Sequence, residues 1–432
     1  MPRKAARREI VAWCLYDFAD SSFTTLIVTV SYALYFRGVV AADLGARADF
    51  YWGLSIAASM ITVALLAPVL GAAADASGRK KTFLACAAGT AILFTALLGF
   101  VGPGDLVAGT LLFILANVGY EGAHVFYNGF LPEIASDEEV GRISGYGWAV
   151  GYIGGLLALV LSLPLTRGGL GPENVATYRL TFPVVAFFYL VFSLPIFLFL
   201  RERAPRRAIG PGALLRDGAS RLAVTFRSLR GQGDLVRYLV AFVLYNDGVM
   251  TVISFAAIYA MHVIGFTTQQ VTLLFLVTQL TAFAGAFGAG WLVDRIGPRH
   301  TIMITLVLWC GVVVGAFLAH TVPQFFVVGA FASIGMGSTQ TASRSLMALL
   351  VPPGRSAEYF GFYGLTGKIS AIFGPVIYGW VAAQAGSERP AVLSVAPFFV
   401  VGLLLLMTVD VARARRASGR LEPQAQAAPV AS

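Results

Sequence analysis

Runs of about 20 mostly apolar residues, separated by short polar stretches, recur along all 432 residues of the chain. That is the length a helix rising 1.5 Å per residue needs to cross the hydrocarbon core of a bilayer. The pattern predicts spans at 11–36, 50–74, 82–101, 106–132, 142–166 and 178–200, then at 236–262, 268–293, 300–320, 323–350, 357–384 and 390–411. The expected fold is an all-α integral membrane protein of twelve transmembrane helices. They fall into two six-helix bundles, at 11–200 and 236–411. An N-tail at 1–10, a linker at 201–235 and a C-tail at 412–432 flank them.

Two of the polar breaks carry one signature. After span 2 it reads Gly71, Asp75, Gly78, Arg79, Lys80, and after span 8 it reads Gly290, Asp294, Gly297, Pro298, Arg299, with an offset of 219 residues. Glycines at such spacing supply a tight bend and close packing. Other pieces repeat in the same order. Leu15-Tyr16-Asp17 in span 1 parallels Leu244-Tyr245-Asn246-Asp247 in span 7, and Gly145-Tyr146 in span 5 parallels Gly361-Phe362 in span 11. The halves therefore read as a parallel repeat related by a pseudo-twofold axis, an arrangement typical of transporters.

Composition agrees: the chain is 57% hydrophobic and 12% charged, about half the charge of a soluble domain. Mean hydropathy is +0.77. The net charge of +9 would suit a nucleic-acid partner, but its placement argues otherwise. Of 31 Lys and Arg, 24 fall at the ends of the spans that share a side with the N-terminus. Five (Arg37, Arg47, Arg167, Arg179, Arg389) fall on the other side, and Arg344 and Lys368 lie inside spans. This bias puts both termini in the cytoplasm and makes the lipid bilayer, not nucleic acid, the partner. Asp17 and Asp20 interrupt what would be the apolar core of a signal peptide, so span 1 is expected to be retained. Cys14, Cys86 and Cys310 are scattered through the spans and indicate neither disulfide nor metal site. No phosphate-binding loop, metal-ligand cluster or Ser–His arrangement is present, so no cofactor, direct ATP use or enzyme activity is expected. The arginine-rich linker places Leu215, Leu222, Phe226 and Leu229 among basic residues from Leu214 to Arg230. Either an amphipathic helix on the inner leaflet or a flexible solvated linker fits that pattern. The C-tail from Arg413 reads as disordered. A monomer in a bacterial inner membrane is the expected setting.

With twelve spans, a six-plus-six repeat and the doubled turn, the chain resembles the major facilitator superfamily over residues 10–412. Narrower stretches resemble its vacuole-effluxer-like family, whose best-known member exports amino acids from the yeast vacuole. They are Leu15-Tyr16-Asp17-Phe18-Ala19-Asp20-Ser21, Phe126-Tyr127-Asn128-Gly129-Phe130-Leu131-Pro132, and Ser343-Arg344-Ser345 followed by Pro352-Pro353-Gly354-Arg355, together with Lys368 in Thr366-Gly367-Lys368. Phe18 and Asp20 stand where that family more often has Trp and Asn, which argues against Asp20 as a family-wide coupling residue. The resemblance implies a secondary active transporter, working by alternating access, of a small, amino-acid-like solute that is exported. It also implies that Asp75 meets the N-terminus of span 11 and Asp294 that of span 5.

Ionisable groups inside a membrane are costly and mark candidate sites. In span 4, Asn117, Glu121, His124 and Asn128 share one helical face, which lines a cavity or bonds a neighbouring helix. Span 1 offers Asp17, Asp20, Ser21 and Thr24, and span 7 offers Asn246 and Asp247. The buried cations are Arg344 in span 10 and Lys368 in span 11. Four carboxylates against two cations motivate proton coupling through Glu121 or Asp20, with His124 as a relay. The competing reading is that the acids bind a cationic substrate group or pair with Arg344 and Lys368. Those two cations together would also suit a substrate carboxylate. The aromatics Tyr16, Tyr127, Tyr146, Trp148 and Tyr363 are further cavity candidates, although packing is the commoner role for such residues.

The signature turns are read as latches of the cytoplasmic side, made in one state and broken in the other. Asp75 is expected to sit at a helix N-terminus, with Arg79 meeting Glu133. Pro298 in place of an arginine is expected to weaken the second latch. Gly147, Gly151, Gly154 and Gly155 in span 5 favour close helix packing over the superfamily's antiporter motif, since Tyr152 replaces its proline. Two other functions remain open: a lipid or amphiphile transporter, and a receptor or scaffold that kept the fold.

Overall fold

The computed structural model describes residues 5–45, 47–205 and 231–420. Among these residues, twelve helices are long and apolar enough to cross a membrane. Spans 1 to 6 are Arg7–Val40, Arg47–Ser77, Lys80–Phe100, Leu106–Ile134, Val140–Thr166 and Val175–Phe199. Spans 7 to 12 are Gly233–Ile264, Gln269–Ile296, Pro298–Leu318, Val322–Leu350, Ser356–Ala385 and Glu388–Met407. Several extend past their apolar runs because polar end turns continue the helix through the headgroup layer. A 31-residue helix such as Arg47–Ser77 is about 46 Å long, enough for the whole bilayer.

Irregularities in spans 1 and 11 shape the site. In span 1 the regular helix Arg7–Phe23 gives way to widened π-helical turns over Thr24–Thr29 and again over Phe36–Val40. The first is itself a run rich in β-branched residues (Thr24, Thr25, Ile27, Val28, Thr29), and Thr29 Oγ1 donates to the Thr24 carbonyl at 2.9 Å. Span 11 is broken into Ser356–Ile369 and Phe373–Ala385. Pro375 has no N–H and crowds the carbonyl four residues earlier, so the helix cannot run through.

The two bundles meet where span 2 crosses the first part of span 11 and where span 5 crosses span 8. Glycines make both crossings possible. A Cβ on Gly145 would lie 2.7 Å from the Ala286 carbonyl oxygen, and one on Gly361 would lie 2.9 Å from that of Ala67. Gly71 abuts the Ala357 carbonyl, and Gly290 lies against Gly141 and Gly145. Gly78 and Gly297 end their helices at φ of 64° and 84°, a region that side-chain-bearing residues avoid. Span 5's glycines serve span 1: a Cβ on Gly151 would fall 2.9 Å from Ser21 Oγ, and Gly154 abuts the Phe18 backbone.

The repeat shows in a pair of end clasps. Glu9, in the first turn of span 1, accepts from the backbone N–H of Arg201 at 3.1 Å and from Arg203 at 3.2 Å. Asp234, in the first turn of span 7, accepts from the N–H of Asp410 at 3.1 Å and from Arg413 at 2.5 Å. In each half an acid on the first helix captures the chain as it leaves the sixth. The second clasp corrects the expectation of a disordered C-tail over its first residues, 412–417. Val411–Ala417 is a short helix, capped by Asp410 through the Arg413 N–H at 2.9 Å, and Arg415 and Arg420 reach Asp137 in the other half. Charge pairing, not apolar periodicity, orders it. The amphipathic stretch proposed at Leu214–Arg230 falls outside the described residues.

Gly71→Val is expected to overpack the crossing of spans 2 and 11, costing about 1–3 kcal/mol. A thermal unfolding midpoint unchanged from the parent protein would contradict the close approach.

Candidate functional site

A cavity of about 600 Å³ occupies the half of the bundle away from the chain termini. Its N-half wall is polar: Asp17, Asp20, Ser21, Thr24 and Thr25 from span 1, Tyr120 and His124 from span 4, and Trp148 and Tyr152 from span 5. The wall from the C half is largely apolar, with Val252, Phe255, Leu274, Phe275, Val313 and Met336 among its members and Thr278, Gln279, Ser333 and Gln340 as polar exceptions. The first widened turn of span 1 lies in this wall and presents Thr24, Thr25 and Thr29 to the cavity.

Each buried carboxylate has found a specific partner. Asp20 Oδ2 lies 2.7 Å from His124 Nε2. The Asp20 side chain is only 3% exposed and that of His124 27%, so the imidazole is the side of the pair that meets the cavity. The Tyr120 ring lies tilted beside that of His124, with centroids 4.7 Å apart, and its hydroxyl hydrogen-bonds Thr24. Asp17 Oδ2 accepts from Arg344 Nη1 at 3.0 Å, an ion pair with side chains 7% and 3% exposed. Glu121 meets Lys368 at 2.6 Å. Both of these pairs join the N half to the C half.

Asp247 departs from the expectation of a cavity charge. It is fully buried and accepts from the N–H groups of Phe373 and Gly374 at 3.2 and 2.9 Å, capping the second piece of span 11. Asn246 donates to Ser370 at the same break. The span 4 face likewise divides. Asn117 is buried and donates to Ser59 of span 2 at 2.7 Å, His124 lines the cavity, and Asn128 Oδ1 lies 3.4 Å from Arg344. The supposed surplus of two unpaired acids does not exist, because His124 and a helix N-terminus supply the missing partners. Nor do Arg344 and Lys368 form one clamp, since each is engaged with its own carboxylate. Of the aromatics, Trp148 lines the cavity. Tyr16 bonds Tyr189 at 2.9 Å in the N-half core, and Tyr146 packs against Phe287. Tyr363 stacks on Phe242.

The opposite end is shut by the two signature turns. Asp75 accepts from the Glu358 N–H at 2.8 Å at the start of span 11. Asp294 accepts from the N–H groups of Gly141 and Arg142 at 2.8 and 3.3 Å at the start of span 5. Both sit on the positive end of a helix, where an anion is favoured. The cation of the first latch is Lys80 rather than Arg79. Arg79 is the exposed cap residue of span 3, whereas Lys80 is 2% exposed and turns inward, bonding Glu133 and donating to Ser356 Oγ at 2.7 Å. Pro298 does not leave the second latch without a cation either, because Arg142 Nε reaches Asp294 at 2.7 Å from the other half. Sequence reasoning also passed over Trp13 and Ser144, which contact Arg344. Trp13 stands one helical turn before Asp17, a spacing that puts both on one face.

Two glycine-hinged bundles around a central cavity, shut at one end by paired turn carboxylates, define a multi-pass membrane transporter of the major facilitator fold. Solved structures share that fold. A proton:xylose symporter, XylE, superimposes with a TM-score of 0.72 at 14% identity, covering 93% of this chain and 95% of its own. The human organic anion transporter MFSD10 gives 0.71 at 17% identity, covering 93% of this chain and 99% of its own.

 Within the superfamily the chain belongs to the family described as "Vacuole effluxer Atg22 like", whose sequence pattern matches residues 51–419. It is 28% identical to a Bacillus subtilis protein named "Uncharacterized MFS-type transporter YxiO", over 92% of this chain and 94% of that one. It is also 28% identical to "Autophagy-related protein 22-1" of Penicillium rubens over 64% of this chain, which spans about half the length of that fungal relative.

Because Lys80 serves Asp75, Glu133 and Ser356 in a dry site, Lys80→Ala is expected to cost about 3–5 kcal/mol. Arg79→Ala should stay within about 0.5 kcal/mol of the parent. Equal losses in thermal unfolding for the two variants would overturn the assignment of the latch to Lys80.

Proposed function

We propose that the chain is a secondary active transporter that exports a small amino-acid-like solute, with the Asp20–His124 pair as its coupling proton site. The bias of Lys and Arg toward the closed end makes that end cytoplasmic, in a bacterial inner membrane, and the cavity then faces outward. The family's description as effluxers supports export. The observation that carries the reading is the division of the cavity: a solute with a charged amine and an apolar body would set the amine against the acids of span 1 and the body against the C-half wall.

The same division gives a reason for coupling. An ammonium group and a proton would compete for the Asp20–His124 pair, so loading one releases the other. Two ligands that exclude each other at one site, in a protein whose site faces each side in turn, exchange across the membrane. Proton entry would then drive solute exit. Glu121, held by Lys368 across the bundle interface, serves better as part of the closure than as the coupling acid.

The apolar wall also suits an amphiphile, the second reading. Such a substrate would need a lateral opening between spans 5 and 8 or between spans 2 and 11, and the glycine-tight packing of both crossings weighs against it.

In proteoliposomes with an imposed pH gradient, amino acids with large apolar side chains are expected to accumulate. Asp20→Asn and His124→Gln should each reduce gradient-driven accumulation at least about ten-fold while solute–solute exchange persists. Gradient-driven transport that survives both substitutions would sink the proton assignment, and transport only of lipids or detergents would favour the second reading.

A further inference from the structure

Arg344 is enclosed more completely than an ion pair requires. Its guanidinium carbon lies 4.8 Å from the centre of the Trp13 ring, 5.0 Å from that of Trp148 and 5.8 Å from that of Tyr127. The faces of aromatic rings attract cations, most strongly where water is excluded. Asp17 holds Nη1 at 3.0 Å, and Ser144 accepts from Nε through its hydroxyl at 3.0 Å and from Nη2 through its carbonyl at 2.6 Å. Trp13 is itself fixed, since its Nε1 donates to the Tyr127 carbonyl at 3.1 Å and its ring stacks on Tyr127 at 4.5 Å. Gly147 leaves the space: a Cβ there would fall 2.5 Å from Asp17 Oδ2 and 2.7 Å from Arg344 Nη2.

The origin of these groups matters more than their number. All of the groups named here come from spans 1, 4 and 5 of the N half, and their occupant comes from span 10 of the C half. If the halves part at this end, Arg344 leaves and the enclosure stays assembled. Asp17 and Trp148 also line the cavity, so the vacated enclosure adjoins the transport path. The Trp148 Nε1 is buried without a hydrogen-bond partner among the described residues, leaving a donor beside it.

We infer that Trp13, Asp17, Tyr127, Ser144 and Trp148 form a binding site for an alkylguanidinium or alkylammonium group, filled by Arg344 in the closed state and available to a ligand when Arg344 withdraws. The inference rests on the alternating-access reading for its place in transport, but the site itself is testable by binding alone. Reclosure returns Arg344 to the enclosure and displaces the ligand cation. Asp20, one turn further along span 1, then stands next on the way into the outer cavity. Arg344 is thus an internal competitor of the solute.

The test uses purified full-length protein and two probes of the same shape, methylguanidinium and uncharged methylurea, with thermal unfolding and tryptophan fluorescence as readouts. In Arg344→Ala, low-millimolar methylguanidinium should raise the unfolding midpoint by several degrees and change the fluorescence, and methylurea should do neither. Its affinity for the parent protein should be at least about ten-fold weaker, because Arg344 occupies the site most of the time. Adding Trp148→Leu to Arg344→Ala should weaken it about ten-fold. Equal affinity for the parent protein and Arg344→Ala, equal action of methylurea, or indifference to Trp148→Leu would overturn the site. If Arg344→Ala is too unstable to purify unaided, methylguanidinium but not methylurea present throughout extraction should restore monodisperse elution, and failure to do so also counts against the site. None of these readouts requires transport, so a failure here is distinct from a failure of the proposed function.

Discussion

The guanidinium of Arg344 belongs to one bundle and is buried in the other, and the relation between the bundles follows from that displacement. A cation in a dry site must be matched where it lies, so Asp17, the Ser144 carbonyl and three aromatic faces converge on it from three helices. Gly147 is then required beneath them, and span 1 is drawn against span 5. The crossing of spans 5 and 8, the latch at Asp294 and the polar wall of the cavity all depend on where spans 1 and 5 lie. Losing one member of such a pair leaves a bare charge in low dielectric, typically about 3–5 kcal/mol uphill. The arrangement is therefore either complete or abandoned, which is the behaviour expected of a gate with two discrete positions.

The two signature turns reach the same end by different means. The first is dry, with Lys80 and Asp75 almost fully enclosed beneath spans 4 and 11. The second uses Arg142, whose side chain is 41% exposed and so shares its charge with water. Solvent screens an exposed pair and makes its loss cheap, whereas the buried pair has no such alternative. The second turn does not lack the cation that Pro298 seemed to remove, and what distinguishes the two is solvation.

Much of this was legible in the chain. Apolar runs of membrane length gave the spans, and two copies of one turn gave the repeat, because both are local patterns. The acidic and basic members of the site could be named for the same reason: in a membrane span any charge is conspicuous. Their partners could not be named. Asp17 meets a residue 327 positions away, Glu121 one in the opposite bundle, and Asp247 no side chain but two backbone N–H groups exposed by the break at Pro375. Counting acids against cations failed because His124 and a helix end neutralise charge without adding to the count of Lys and Arg. Arg79 and Lys80 are neighbours in sequence, and only the left-handed turn at Gly78, followed by Arg79 as the cap, decides which of them points inward. The short helix at Val411–Ala417 had a readable start in Asp410, but what anchors it is Asp234, a product of the tertiary fold.

The break in span 11 divides allegiance within a single helix. The piece Ser356–Ile369 lies against spans 2 and 4, supplies the Glu358 N–H to Asp75 and carries Lys368 to Glu121. The piece Phe373–Ala385 is tied by Asp247 to span 7. Covalently the helix is part of the C half, yet its first half is fastened to the N half by a hydrogen bond at one end and an ion pair at the other. If the bundles rock against one another, the boundary across which they move runs through span 11 at Ser370–Ile372 as well as between the bundles. Span 11 would then work as a coupling rod with one joint, passing a rocking of either bundle to the other through three residues.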